Sequence, residues 1–185
     1  MGNIRTAPSG LLFQALTLND KDLLPSLENY FVKRYGKILL EYGPFRFDAF
    51  TDYYRNEMGE ELWKKYYFFA QAISLENLYR HKLESQSLEL RYIRDDKRRI
   101  NCDPGFLTLY QFGLLSTKAY SHRNYLAEGI YAETTLIARG KRFEALPWTY
   151  PDYQTSEVLD FFAQGKQVLK NMFSGSDKRE LSFDH

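Results

Sequence analysis

The sequence predicts an α+β domain built on a mainly antiparallel sheet. Short apolar runs typical of strands alternate with segments whose apolar residues recur at helical spacing. Aromatic residues make up 17% of the 185 residues, and rings in such number must lie largely on strands or at an interface. A chain of this length can bury a sufficient core by itself, so we predict a single domain over residues 1–185 with flexible ends at 1–8 and 174–185.

The first strand and the first helix are predicted before Gly36. Leu11 to Leu18 is an apolar run bounded by turn-forming residues, which predicts a largely buried strand. Asp20 or Asp22 can cap the helix that follows, and its apolar stripe continues until Gly36 ends it.

The next segment contains one clear strand and one ambiguous stretch. Lys37 to Phe47 predicts a second strand, broken or bent near Gly43-Pro44. Phe50 to Gly59 has neither period and predicts a loop with a short helical turn. The aromatic run Lys65 to Ile73 fits a third strand, although a helix beginning near Glu60 explains the same pattern.

Strands dominate the rest of the chain. Ser74 caps a second helix, and Arg91 to Arg99 is a charged connection. Ser156 opens a final amphipathic helix. Four strands are predicted between these two helices: Ile100–Cys102, Leu107–Leu115, Ile130–Ala138 and Arg142–Leu146.

The order of the elements over the first hundred residues is strand, helix, strand, strand, helix, strand. That order matches the split βαβ unit of ferredoxin-like folds. The remaining strands would extend the sheet, and the C-terminal helix would cover it. We therefore predict an α+β fold with a ferredoxin-like split βαβ core, extra strands and a C-terminal helix.

Composition excludes several classes of protein. The 25 basic and 24 acidic residues give no electrostatic case for general nucleic-acid binding. Cys102 is the only cysteine, so no internal disulfide can form and nothing indicates an oxidising compartment. No apolar run approaches the length of a membrane span, and the amino terminus lacks a signal-peptide pattern. We expect a cytoplasmic protein with no membrane partner, and composition leaves its oligomeric state open.

Most of the unusual chemistry lies between Arg99 and Tyr153, where charged side chains follow strand-like runs. The imidazole of His122 can shuttle protons near neutral pH. Arg123 beside it can clamp an anion in bidentate fashion, and Lys118 can meet a phosphate or a carboxylate. The alternative for each residue is a solvated or structurally bonded side chain.

Two carboxylates complete the predicted catalytic set. Glu133 lies in an otherwise apolar strand, where it needs a basic partner, a hydroxyl or a ligand. The partners to check are Arg123, Lys118 and Tyr53, and a structural salt bridge is the alternative. Asp103 belongs to Asp103-Pro104-Gly105, which has the chemistry of a turn that could aim the carboxylate into a pocket.

The remaining candidates are open to two interpretations. Glu57, like Glu133, is predicted to need a partner or a ligand, and the alternative is that it lies at the start of a helix. Trp148, Tyr150 and Tyr153 stand around two prolines and form either a rigid lid that stacks on a ligand or a packed aromatic crossing. Cys102, within a strand, predicts a buried and inert thiol.

Metal binding is not predicted. One candidate histidine without Cys-x-x-Cys or His-x-x-x-His spacing argues against zinc. An oxygen-rich Mg²⁺ site is left as an alternative. The sequence identifies no cofactor.

Six motifs stand in order along the chain: Phe50-Thr51-x-Tyr53-Tyr54-x-x-Glu57-Met58-Gly59, Asn101-x-Asp103-Pro104-Gly105, Ser116-Thr117-Lys118, His122-Arg123-x-Tyr125-Leu126, Gly129-Ile130-Tyr131-Ala132-Glu133 and Pro147-Trp148-Thr149-Tyr150-Pro151-Asp152-Tyr153. Together they resemble the signature of an uncharacterised prokaryotic family, domain of unknown function 4416. The resemblance spans nearly the whole chain and implies a bacterial, cytosolic origin and a shared site assembled from the motifs. It names no activity, and the chain has no Gly-x-x-x-x-Gly-Lys-Ser/Thr phosphate loop.

The leading hypothesis is a small cytosolic enzyme or nucleotide-handling protein that acts on a phosphate- or carboxylate-bearing small molecule. Lys118 and Arg123 would hold the anion, and His122 would serve as acid or base. Glu133 and Asp103 would orient His122 or bind Mg²⁺. The other predicted substrate contacts are Tyr53, Glu57, Trp148 and Tyr150.

The competing hypothesis is a non-catalytic protein- or RNA-interaction module in which the same groups form a structural polar network. The balanced charge counts against RNA. The two hypotheses differ in shape, because an enzyme needs a concave pocket and an interaction module needs an open aromatic face.

Overall fold

The computed structural model describes residues 7–174. Its strands are β1 (Ser9–Leu18), β2 (Ile38–Arg46), β3 (Trp63–Ser74), β4 (Ile93–Arg94), β5 (Lys97–Arg98), β6 (Ile100–Leu107), β7 (Gln111–Ser116), β8 (Arg123–Ala127), β9 (Ile130–Arg139) and β10 (Arg142–Ala145). Its α-helices are α1 (Leu24–Tyr35), α2 (Arg55–Met58), α3 (Tyr79–Leu90) and α4 (Ser156–Ser174). Among the described residues, no helix has the length and apolar character needed to cross a bilayer. The predicted flexible ends, 1–8 and 174–185, fall almost wholly outside the described range.

Eight of these strands form one antiparallel sheet, in which seven follow the order β10-β9-β7-β6-β1-β3-β2 and β8 pairs with β9. β8 lies beside the first half of β9, and β10 lies beside its second half. Helix α1 joins β1 to β2, and helix α3 precedes a small β4–β5 hairpin that leads into β6. The predicted α+β class, mainly antiparallel sheet and C-terminal helix are confirmed.

Helices cover both faces of the sheet. On one face, Leu16 of β1 belongs to a buried cluster with Phe31 of α1 and Leu88 of α3. On the other face, Phe13 of β1 packs on Phe162 of α4, with their ring centres 5.5 Å apart. Residues of a strand alternate between its two faces, so a central strand buried on both sides is mainly apolar, and β1 is apolar at its buried positions apart from Gln14 and Thr17.

The ambiguous aromatic run is a strand, and the helix proposed from Glu60 is wrong. β3 pairs with β1 on one side and with β2 on the other. Tyr66 lies in the cluster beneath α4, whereas Tyr67 lies in the cluster beneath α1. A strand places consecutive rings on opposite faces, which lets two cores share one aromatic run. Ser74 ends β3 instead of capping the next helix, which begins at Tyr79.

The turn predicted at Asp103-Pro104-Gly105 is wrong, because β6 runs straight through it. Cys102 directs its N–H and its carbonyl away from β1, toward α3. Residues two apart in a strand direct their backbone groups to the same side, so Pro104 faces that side too. Its missing N–H falls where no strand is bound, which is the position at which a strand tolerates proline.

The sheet splits where β6 and β7 part. Their pairing is limited to Gly105–Leu107 with Phe112–Leu114. Beyond it, β6 continues along β1 to Ile100, and β7 continues along β9 to Ser116. Pro104 has no N–H with which to extend the β6–β7 ladder. The two halves of the sheet therefore leave a gap between them.

Replacing Gly105 with alanine is expected to lower the free energy of unfolding by about 1–3 kcal/mol. A Cβ atom at this position would stand 2.5 Å from the carbonyl oxygen of Gly113 on β7. The contact is with backbone, so the clash must be relieved by moving the two strands apart. Urea denaturation monitored by circular dichroism would measure the loss. An unchanged unfolding midpoint would mean that β6 and β7 separate freely at this point.

Candidate functional site

A cleft of about 660 Å³ occupies the gap between the parted strands. Lys82 and Glu89 of α3 line it from one face of the sheet, and Lys64 of β3 and Asp152 line it from the side of α4. The structure brings all nine predicted site residues into this lining: His122, Glu133, Asp103, Lys118, Arg123, Tyr53, Glu57, Trp148 and Tyr150. Their roles in binding or catalysis stay predictions.

Glu133 and Arg123 form a buried ion pair. They stand opposite each other on β9 and β8, and Arg123 Nε donates to Glu133 Oε2 at 2.6 Å. Their side chains are 1% and 4% exposed, respectively. Arg123 also donates to the Ser116 hydroxyl at 2.7 Å and to the Lys118 carbonyl at 3.0 Å. Of the partners predicted for Glu133, the structure supplies Arg123, while Lys118 and Tyr53 contact each other.

The imidazole of His122 lies against the same carboxylate. Its Nε2 is 3.3 Å from Glu133 Oε2, and its side chain is 21% exposed. The rings of Trp148 and Tyr120 lie nearly parallel to it, with centroids 4.9 and 5.9 Å away. Trp148 is held in turn by a 2.8 Å hydrogen bond from its Nε1 to the Thr134 carbonyl. Glu133 and the two rings thus fix the orientation of the imidazole, as an acid–base histidine requires.

Lys118 differs from the other cations of the cleft. Within the described part of the chain, the other four pair with carboxylates, and Lys118 has no carboxylate oxygen within 4.0 Å. Its Nζ contacts the Tyr53 hydroxyl and lies 4.6 Å from the centre of that ring. The hydrogen bond with Tyr53 raises the pKa of Lys118, so the exposed amine stays charged at neutral pH.

Asp103 lies on the wall formed by β6. Lys82 Nζ donates to its Oδ1 at 3.0 Å, and Asn101 Nδ2 donates to its Oδ2 at 2.6 Å. Burial alone would raise the pKa of Asp103, but the charges of Lys82 and Lys64 and the hydrogen bonds from Lys82 and Asn101 together lower that pKa. Asp103 is therefore a carboxylate at neutral pH, and its side chain remains 28% exposed.

Lys82 and Glu89 also cap the free edge of β6. Lys82 Nζ donates to the Cys102 carbonyl at 2.9 Å, and the Cys102 N–H donates to Glu89 Oε1 at 2.7 Å. Backbone groups buried without a partner are costly, so two side chains of α3 replace the strand that is missing here. The predicted burial of Cys102 is confirmed, and this burial raises the pKa of its thiol well above the ordinary value.

Glu57 is tied to the same network by Arg98. Arg98 Nη2 contacts the Glu57 carboxylate, and Arg98 Nη1 donates to Glu89 at 3.2 Å and to Asn101 at 3.1 Å. The Glu57 side chain is 51% exposed. It therefore remains accessible at the mouth of the cleft.

The aromatic segment after β10 has two exposed rings and one buried ring, so the packed crossing holds for Tyr153 and the lid stays a prediction. Trp148 and Tyr150 are 38% and 47% exposed, and both line the cleft. Tyr153 is 1% exposed and packs on Tyr66, with ring centroids 5.1 Å apart. The first two rings are thus available to a ligand, and the third is part of the core.

Four buried charges of the cleft were missed from the sequence: Lys64, Asp152, Lys82 and Glu89. Lys64 Nζ donates to Asp152 Oδ2 at 2.6 Å, with side chains 6% and 2% exposed. Lys82 and Glu89 stand two helical turns apart, and Ser85 between them is also buried. A polar stripe at helical spacing ordinarily predicts a solvated helix face, so the sequence did not reveal the burial of these residues. Lys64 gives no local signal, because its partner is distant in the chain.

The carboxylates considered as Mg²⁺ ligands are engaged otherwise. Asp103 is bonded by Lys82, and Glu133 is bonded by Arg123. Across residues 7–174, no three His, Cys, Asp or Glu side chains converge closely enough to hold a metal ion.

Comparison with known proteins places the chain in a family. Residues 8–168 match the family model described as Domain of unknown function (DUF4416). This range contains every strand of the described sheet and most of α4. Neither the curated proteins nor the solved structures gave a match. Since the match covers most of the chain, the protein belongs to the DUF4416 family.

Proposed function

We propose that the cleft binds a small phosphate- or carboxylate-bearing molecule, and that the protein is an enzyme or a nucleotide-handling protein acting on it. The observation that carries the proposal is the unmatched charge of Lys118. Elsewhere in the described cleft lining, each cation has a carboxylate partner. An exposed ammonium group in a concave site is a suitable anchor for an anion.

The other residues have roles that follow from their contacts. Arg123 is committed to Glu133, Ser116 and the Lys118 backbone, so it shapes the anion site more than it clamps the anion. His122 stands at the rim with its imidazole fixed, where it would give or take a proton. Glu133 would orient His122, and the exposed rings of Tyr53, Trp148 and Tyr150 would contact a planar part of the ligand.

A non-catalytic interaction module is the second candidate. The observation that favours it is the exposure of three tyrosines around the cleft, since Tyr53, Tyr120 and Tyr150 are 58%, 55% and 47% exposed. Exposed aromatic rings are typical of surfaces that bind proteins or RNA. The concave shape of the site supports the small-molecule hypothesis over the interaction module.

The proposal also includes a ferredoxin-like core, a bacterial origin and a cytosolic location. The neighbouring strands β6-β1-β3-β2, with α1 and α3 in the crossovers, support a ferredoxin-like split βαβ core. The family resemblance supports a bacterial origin, and the single cysteine is compatible with a cytosolic location.

Thermal denaturation of the purified protein with a panel of nucleotides, sugar phosphates and dicarboxylates tests the proposal. A ligand that binds only the folded state stabilises it by about 2.7 kcal/mol at a concentration of about 100 times its Kd. At least one anion is expected to raise the melting temperature, and Lys118→Gln is expected to abolish this rise.

Lys141→Gln, in the exposed turn between β9 and β10, is the matched control and should leave the rise intact. If no anion of the panel raises the melting temperature, or if the rise is equally large in Lys118→Gln, the proposal is contradicted and the interaction module is favoured.

A further inference from the structure

The charges of the cleft are unevenly distributed between its two ends. Where β7 meets β8, the Arg123–Glu133 pair is balanced, and Lys118 adds an unmatched positive charge. Around β6 and α3, the two cations Lys82 and Arg98 face three carboxylates, those of Asp103, Glu89 and Glu57. One end is thus positive and the other is negative.

The negative end has acceptor capacity that the protein does not use. Each Asp103 oxygen accepts one hydrogen bond, from Lys82 or from Asn101, whereas a carboxylate can accept about four. Asp103 is 28% exposed, and Glu57 is 51% exposed. By contrast, Glu133 is 1% exposed. A ligand can therefore reach a free carboxylate edge only at this end of the described site.

The two ends belong to one cleft of about 660 Å³, which both Lys118 and Asp103 line. Tyr53, which contacts Lys118, has its ring centre 4.9 Å from that of Tyr54. Arg98 lies 5.9 Å from the centre of the Tyr54 ring and donates to Asn101, which in turn donates to Asp103. Two tyrosine rings thus connect Lys118 to the group around Asp103, and they can contact the body of a ligand.

Building on the proposed anion site, we infer that the ligand is an anion that also carries a hydrogen-bond-donating amine, with its anionic group on Lys118 and its amine on Asp103. A ligand with an anionic group at each end would place negative charge against Asp103 and Glu57, so the negative end selects against it. The site thus discriminates by repulsion at one end as well as by attraction at the other.

Matched pairs of probes that differ only in the amine test this inference on the unmodified protein. Phosphoethanolamine is compared with ethyl phosphate, and adenosine monophosphate is compared with purine riboside monophosphate, by calorimetric titration. A hydrogen bond to a charged group predicts that the amine-bearing member of a pair binds roughly 10- to 100-fold more tightly. Asp103→Asn is expected to remove most of this preference and to keep the binding that depends on Lys118.

Glu57→Gln, at the same end but more exposed, gives a second variant if Asp103→Asn does not fold. It should reduce the preference by a smaller factor. Equal affinity within both pairs, abolished by Lys118→Gln, overturns this inference and leaves the proposed function standing. No binding by either pair or by the wider anion panel overturns the proposed function, and the inference falls with it.

Discussion

Replacing Asp152 with alanine is expected to lower the free energy of unfolding by about 3–5 kcal/mol, the range for breaking a buried ion pair by removing one partner. The variant leaves the ammonium group of Lys64, whose side chain is 6% exposed, without its carboxylate. It also removes the acceptor of the buried Tyr66 hydroxyl. Urea denaturation at neutral pH would measure the loss.

The exposed pair of Arg139 and Glu144 is the matched control. Both side chains are more than half exposed, and such pairs contribute about 0–1 kcal/mol. Glu144→Ala should therefore have little effect. If Asp152→Ala lowers the free energy of unfolding by no more than this control does, Lys64 does not remain a buried, unpaired charge in the variant.

A double variant separates the attraction of the buried pair from the cost of an unpaired charge. Lys64→Met combined with Asp152→Leu removes both charges, and apolar replacements of buried pairs are often neutral. The double variant is expected to be more stable than Asp152→Ala alone. A double variant that is less stable would mean that the pair itself is strongly favourable.

Much of the sheet was predictable because strand signals are local, although β8 was not predicted and the predicted strand Leu107–Leu115 spans the turn between β6 and β7. β1 was recognisable from its short apolar run, whereas the aromatic run of β3 fitted a strand and a helix equally well. The order of the predicted elements suggested the antiparallel arrangement. The failure at Asp103-Pro104-Gly105 is instructive, since turn chemistry is also a local signal. It was overridden by tertiary context, because Pro104 faces the edge of β6 where no strand is bound.

The candidate site was recognisable because some of its polar residues contrast with the sequence around them. Glu133 was conspicuous as a charge inside an apolar strand, and His122 and Arg123 stood out by their chemistry, although the strand β8 that begins at Arg123 was not predicted. Their convergence follows from the pairing of β8 with β9. Lys82 carried no such contrast, because a lysine on a helix is ordinarily solvated. Only the fold shows that it reaches across to β6, where the Cys102 carbonyl and Asp103 accept hydrogen bonds from its ammonium group.

Replacing Lys82 with methionine is expected to lower the free energy of unfolding by about 3–5 kcal/mol near neutral pH. The Lys82 side chain is 8% exposed, and its ammonium group bonds Asp103 and the Cys102 carbonyl. Without it, Asp103 and Glu89 are carboxylates in a buried network with too few cations. Lys33→Met, on the exposed face of α1, is the matched control and should change stability by no more than about 0.5 kcal/mol.

The pH dependence of this loss identifies its cause. In the native protein the pKa of Asp103 is lowered, so its ionisation stabilises the fold above the pKa of the unfolded chain, and this stability is lost as pH falls through the folded value. Without Lys82, burial is expected to raise the pKa of Asp103, and protonation then favours the fold as pH falls. The deficit of the variant should therefore be smaller at about pH 5 than at about pH 7.5. A deficit that is constant with pH would mean that Lys82 acts by packing and by its bond to the Cys102 carbonyl, and not through its charge.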